Sequence, residues 1–176
     1  YALADLSRRD RSRGCHGGLA AAGLGAARRL HRRHSGQRFF GDAFGGNVVA
    51  DSYAGYNAIN PKGRQACLAH LIRKAKEIAD RIELMPVKKQ DQEAMHFCRS
   101  LQKFFGICCR IDQRRKRGDI SFTAAKAYIP RLQRALATLC LRPLDDADAE
   151  NLRQRITDPE RDGERLFTFL QVNGMP

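Results

Sequence analysis

From Arg64 to Ile156 apolar residues recur every three to four positions with few interruptions, which commits most of this chain to helix. The first expected helix spans about Arg64 to Leu84. Leu68, Leu71, Ile72, Ala75, Ile78, Ala79 and Ile82 share one face, and Arg73, Lys74, Lys76, Asp80 and Arg81 turn to water. "NPKG" (Asn60 to Gly63) breaks the chain ahead of it, and Pro86 ends it. A second helix runs from about Gln90 to Arg117, with Met95, Cys98, Leu101, Phe105, Cys108 and Ile111 inward. Its basic last turn and Gly118 suit the helix dipole and a C-cap. A third covers about Phe122 to Leu141, with Ser121 or Asp119 as cap, burying Phe122, Ala125, Ile129, Leu132, Leu136 and Leu139. Pro130 is expected to kink it or split it in two. A shorter helix near Ala147 to Ile156 follows "RPLDDAD", then the break "TDPERDG" and the apolar stretch "RLFTFLQV".

Ahead of this block stands one strand signal. Phe39, Phe40 and Phe44 can anchor a core, Gly45-Gly46 marks a turn, and Val48, Val49 and Ala50 form a short buried-strand run. Residues 1–38 show neither a period of two nor a capped helical stripe. Arg, Gly and Ala dominate there, as in a disordered basic arm or in GC-rich DNA translated out of frame. The expected class is α+β, mostly helical. One domain is the prior for 176 residues.

The formal net charge of +13 points to a polyanion partner. Residues 1–40 hold nine Arg against Asp5 and Asp10, so about half of that excess sits in the leading segment. Four of the six cysteines fall on apolar helix faces, the pattern of reduced core thiols in a cytoplasmic protein. No apolar run approaches the ~20 residues of a membrane span.

Few residues offer chemistry. Asp51 closes the strand run, and its spacing admits two readings. One is a turn cap bonding the Tyr53 or Ala54 amide. The other is a strand-end carboxylate of the kind that holds Mg²⁺ in polynucleotidyl transferases, where several acids converge. Cys67-x-x-His70 has no matched second pair at a regular interval and reads as a packed thiol and a polar His rather than a zinc site. Arg114, Arg115, Lys116 and Arg117 cluster at a helix end, as a phosphate-contacting run or as a solvated terminus. There is no Gly-x-Ser-x-Gly elbow and no Gly-rich phosphate loop followed by Lys.

Three blocks in order carry a resemblance: "NVVADSYAGYN", "RQACLAHLIRKAKEI" and "ERLFTFLQVNGMP". Together they resemble the central transposase domain of the insertion-sequence sixty-six family, over about Phe40 to Pro176. The resemblance implies a DDE-type, Mg²⁺-dependent transposase of RNase H-like fold, with Asp51 as the second of three catalytic acids and a metal ligand. It also places Cys67, His70 and Arg73 on a helix that opens a long helical insertion. In the family an Asn-Asn-x-x-Glu segment with the third acid follows "LFTFL", and an Asp-Glu-Thr context surrounds the first; neither occurs in this sequence.

The expectation is therefore an incomplete RNase H-like core with few strands and a helical insertion. Residues 1–38 form a separate basic or out-of-frame segment. Residues 39–63 carry strand, turn and Asp51, residues 64–157 the insertion, and residues 158–176 the start of a C-terminal block. Functionally this reads as a fragment of a DNA transposase, inactive alone, with one of three acids remaining. Mg²⁺ is its implied cofactor and DNA, the element's ends, its partner, contacted by Arg73 and Arg114 to Arg117. No membrane is expected, and homo-oligomerisation is left open. The alternative is a non-catalytic basic helical nucleic-acid-binding module. A third outcome is a product whose incomplete sheet prevents folding.

Overall fold

The computed structural model describes residues 45–51 and 61–173. The expectations for residues 1–38, for Phe39, Phe40 and Phe44, and for a cap at Tyr53 or Ala54 lie outside them. Within them the chain is mostly helical, with one small sheet. β1 (Asn47–Ala50) pairs in parallel with β2 (Gly63–Ala66), in the register Asn47 to Gly63 through Ala50 to Ala66. β2 corrects the sequence reading, which began the first helix at Arg64. Gly63, Arg64 and Gln65 show no apolar alternation, so only the neighbouring strand makes them extended. Val49 is a second correction: Val48 and Ala50 are buried, but Val49 on the opposite face is 42% exposed. A period of two, not a fully buried run, describes β1.

Helix α1 (Leu68–Glu83) begins after Cys67 and buries Leu71, Ala75, Ile78, Ala79 and Ile82, the expected face. After Pro86 a short 3₁₀ turn (Val87–Lys89) leads to α2 (Gln92–Lys116). α1 and α2 make the most extensive helix pairing, built around the fully buried Leu71, Ile78, Ile82, Leu101 and Phe105. The basic last turn of α2 ends at Gly118, whose φ of 81° is the left-handed conformation that glycine adopts without a Cβ clash.

Pro130 splits the third expected helix. α3 (Phe122–Lys126) is capped by the Ser121 hydroxyl, which accepts from the Ala124 N–H at 3.1 Å. α4 (Ile129–Leu139) starts anew with Pro130 in its first turn, where no N–H is needed. α5 (Ala147–Thr157) buries Ala149, Leu152 and Ile156. A 3₁₀ turn (Gly163–Arg165) and α6 (Thr168–Gln171) complete the described elements.

Polar caps lock the helices together. The Asp91 carboxylate accepts from the Ala94 N–H with one oxygen and from the Asp146 N–H with the other, at 2.9 and 3.0 Å. Asp146 caps α5 and receives Arg81 of α1 at 2.7 and 2.8 Å. Partial burial opposes ionisation of Asp146, but the Arg81 hydrogen bond and the cap amides outweigh it and hold its carboxyl below the usual range.

Candidate functional site

The two strands end side by side. Ala50 faces Ala66, and the Cys67 N–H donates to the Ala50 carbonyl at 2.8 Å as the last rung of the pair. Asp51 leaves β1 at this point and is exposed. Carboxyl ends of parallel strands are where open sheets carry their ligands, because the chain there turns away and leaves a crevice.

The surroundings of Asp51 come from far along the chain. Arg155, in the last turns of α5, donates from Nη2 to the Asp51 carbonyl at 3.1 Å and from Nε to the Asp162 carboxylate at 2.5 Å. Asp162 is almost fully buried, so an ion pair is what such a carboxylate requires. Its own N–H donates to the Arg155 carbonyl at 3.3 Å, closing the loop between α5 and the 3₁₀ turn. Gly163 follows for a steric reason: a Cβ there would lie 2.8 Å from the Asp158 carbonyl oxygen.

The C-terminal block is fastened to β2 in the same polar manner. Buried Gln65 donates to the Ala66 and Leu166 carbonyls at 2.7 and 3.1 Å and accepts from the Phe169 N–H at 2.9 Å. The Thr168 hydroxyl donates to the Arg64 carbonyl at 2.8 Å. Burial, then the neighbouring Arg165, lowers the pKa of the Arg64 guanidinium. Guanidinium groups of Arg64 and Arg155 thus accompany β2 and the end of β1, the second of them paired with Asp162.

Cys67 precedes α1 as its N-cap residue, without a side-chain cap bond, and both it and His70 are half-buried. The five described cysteines are free thiols. Burial pushes Cys98 and Cys108 up to about 12 and Cys140 up to about 11, so these three stay protonated and pack as small apolar groups. Among the described residues no three His, Cys, Asp or Glu gather into a metal-holding group.

The basic run at the end of α2 is largely engaged at home. Asp112 receives Arg115 at 2.7 Å and Lys116 at 3.0 Å, and Asp119 receives Arg117 at 3.3 Å. Arg115 is nearly buried in its pair, whereas Arg114 and Arg73 are exposed. Sequence reasoning missed Arg155, Asp162, Gln65 and Thr168. The visible signal was a polar residue inside an otherwise apolar block, as at Thr168 in "LFTFL", together with the Asp162-Gly163 turn pair.

A sequence profile described as the Transposase IS66 family matches residues 28–176. The match begins ahead of Phe40 and takes in the last part of the Arg-rich leading segment. No curated protein and no solved structure matches the chain. Among the described residues no helix is long and apolar enough to cross a membrane.

Proposed function

This chain belongs to the IS66 transposase family, and from that premise we propose that it serves DNA-mediated transposition of an insertion sequence, with Asp51 as one catalytic acid. The observation that carries the reading is the position of Asp51. It is exposed at the carboxyl end of a parallel strand, within the Asp-x-Tyr-x-x-Tyr-Asn block that the family uses for an acid. An RNase H-like core, whose strands lift carboxylates out of a sheet edge, accommodates that placement.

The DDE-type family implies a divalent metal ion, Mg²⁺. The described residues do not by themselves fit one. Mg²⁺ demands an octahedral set of oxygen ligands. Among the described residues no three possible ligands gather, and the guanidinium that holds the Asp51 carbonyl also occupies the Asp162 carboxylate. We read the chain as a transposase fragment that acts on element-end DNA in the cytoplasm, without strand transfer on its own.

The test uses purified protein, Mg²⁺ or Mn²⁺, and DNA carrying the element's terminal repeats. No nicking is expected from this chain. Nicking that disappears in Asp51→Asn overturns the inactivity, and cleavage by a polypeptide bearing the family's other two acids that survives Asp51→Asn removes Asp51 from the chemistry.

The DNA contacts proposed are Arg73, Arg114, Lys116 and Arg117, with Arg115 contributing mainly through Asp112. Exposed ion pairs such as that of Arg117 and Asp119 contribute little, so phosphate oxygens can replace the acid. A non-catalytic basic module shares these contacts and is separated by its indifference to Asp51→Asn. Removing one phosphate-contacting cation lowers the slope of log affinity against log salt by about 1.

A further inference from the structure

A carboxylate that works on a reacting group has to be held to within about 0.5 Å, and such precision comes from the residues around it. β1 is only four residues long, with one partner strand among the described residues, so its end has little rigidity of its own. Arg155 meets that end from a sequence distance of 104 residues. Its guanidinium is planar with donors at fixed angles, so anchoring Nε on Asp162 also determines where Nη2 points. Asp162 is itself fastened on several sides. It is buried, its N–H is bonded to the Arg155 carbonyl, and the turn that presents it is closed by the Gly163 N–H on the Asp158 carbonyl at 2.9 Å.

We propose that Arg155 is a positioning residue for Asp51, and that the buried Asp162 carboxylate holds Arg155 in that role. The inference rests on the transposase reading for the importance of Asp51, and on geometry alone for the clamp. It makes the last helix of the helical block part of the strand-end site. α5 sits against α1 and α2, with Leu152 and Ile156 in the shared core, so the packing of that block reaches the Asp51 carbonyl through Arg155.

Amide hydrogen exchange by NMR on the full chain tests it, because the strand pair carries its own control. The Cys67 N–H closes the rung beside Asp51, and the Lys62 N–H, bonded to the Gly46 carbonyl at 2.9 Å, closes the rung at the far end. Arg155→Ala should accelerate exchange at Cys67 about tenfold and leave Lys62 unchanged, as expected for losing a hydrogen bond from a charged donor. Arg155→Lys keeps the charge but not the fork, and should also release Cys67.

Equal acceleration at both amides shows general support of the fold and overturns the proposal, as does no change at either. Full protection in Arg155→Lys overturns the role of the fork. Should Arg155→Ala fail to fold, Asp162→Asn keeps the side-chain shape and must release Cys67 ahead of Lys62. The measurement needs neither DNA nor metal, so a missing clamp and a mistaken role for Asp51 are told apart; the latter is judged by whether a polypeptide bearing the family's other two acids still cleaves DNA after Asp51→Asn.

Discussion

The α1–α2 pair and the strand end that carries Asp51 are held by opposite means. Between the helices the contact is dry: Leu71, Ile78, Ile82, Leu101, Phe105 and Cys108 are almost entirely shielded from water. Such burial is non-directional and tolerates small shifts. At the strand end the fastening is directional. Gln65, Thr168, Arg155 and Asp162 each reach a named partner, and most of these bonds span 101 to 104 residues of sequence. The apolar pair supplies stability, and the polar clasp supplies position. Phe167 joins the two regions, stacking edge-on against Phe104 of α2 at 6.4 Å.

The largest test of that contrast is Phe105→Ala. It leaves a cavity in the fully buried centre of α2 and should cost about 3–5 kcal/mol, read as a lower denaturant midpoint followed by circular dichroism. If the strand pair lost protection in that variant while α1 and α2 kept theirs, the division between the regions would break.

Gln65→Met is smaller and sharper. It keeps roughly the volume but strips partners from the Phe169 N–H and the Leu166 carbonyl, at a cost of about 1–3 kcal/mol. Exchange should quicken at the Phe169 amide well before the amides of α1 and α2. Uniform quickening would make the clasp an ordinary part of one core.

The smallest effect is electrostatic and belongs to the helical region. Hydrogen bonds from Arg153, then Gln154 and the Leu144 amide, hold Glu150 down at about 2, against an ordinary value near 4.5. A depressed carboxyl contributes stability that is present above its unfolded pKa and is lost as pH falls through the folded one. The contribution therefore fades between about 4.5 and about 2. Glu150→Gln should flatten the acid limb of stability across that window by less than about 1 kcal/mol, with no change in its shape above it.

The helical region was legible because its cause is local. Leu71, Ala75, Ile78 and Ile82 recur at helical spacing, Ser121 caps where a hydroxyl precedes a helix, and Pro130 ends one helix and begins another. Asp51 at a strand end was legible for the same reason, from a short apolar run closed by a carboxylate. β2 was not, because "GRQA" has no pattern of its own and extends only beside β1. Arg155 carries no signal in its own neighbourhood, because Asp51 is brought to it only by the fold.

What the chain determined unaided is its helical period, its caps, its break at Pro130 and the apolar setting of Cys98, Cys108 and Cys140, since each follows from neighbours within a turn or two. Tertiary structure alone decided that Gly63 to Ala66 becomes a strand, that Val49 faces water and that Arg155 grips the strand end. Those outcomes depend on partners that sequence distance hides, and a directional bond exists only once both ends are in place.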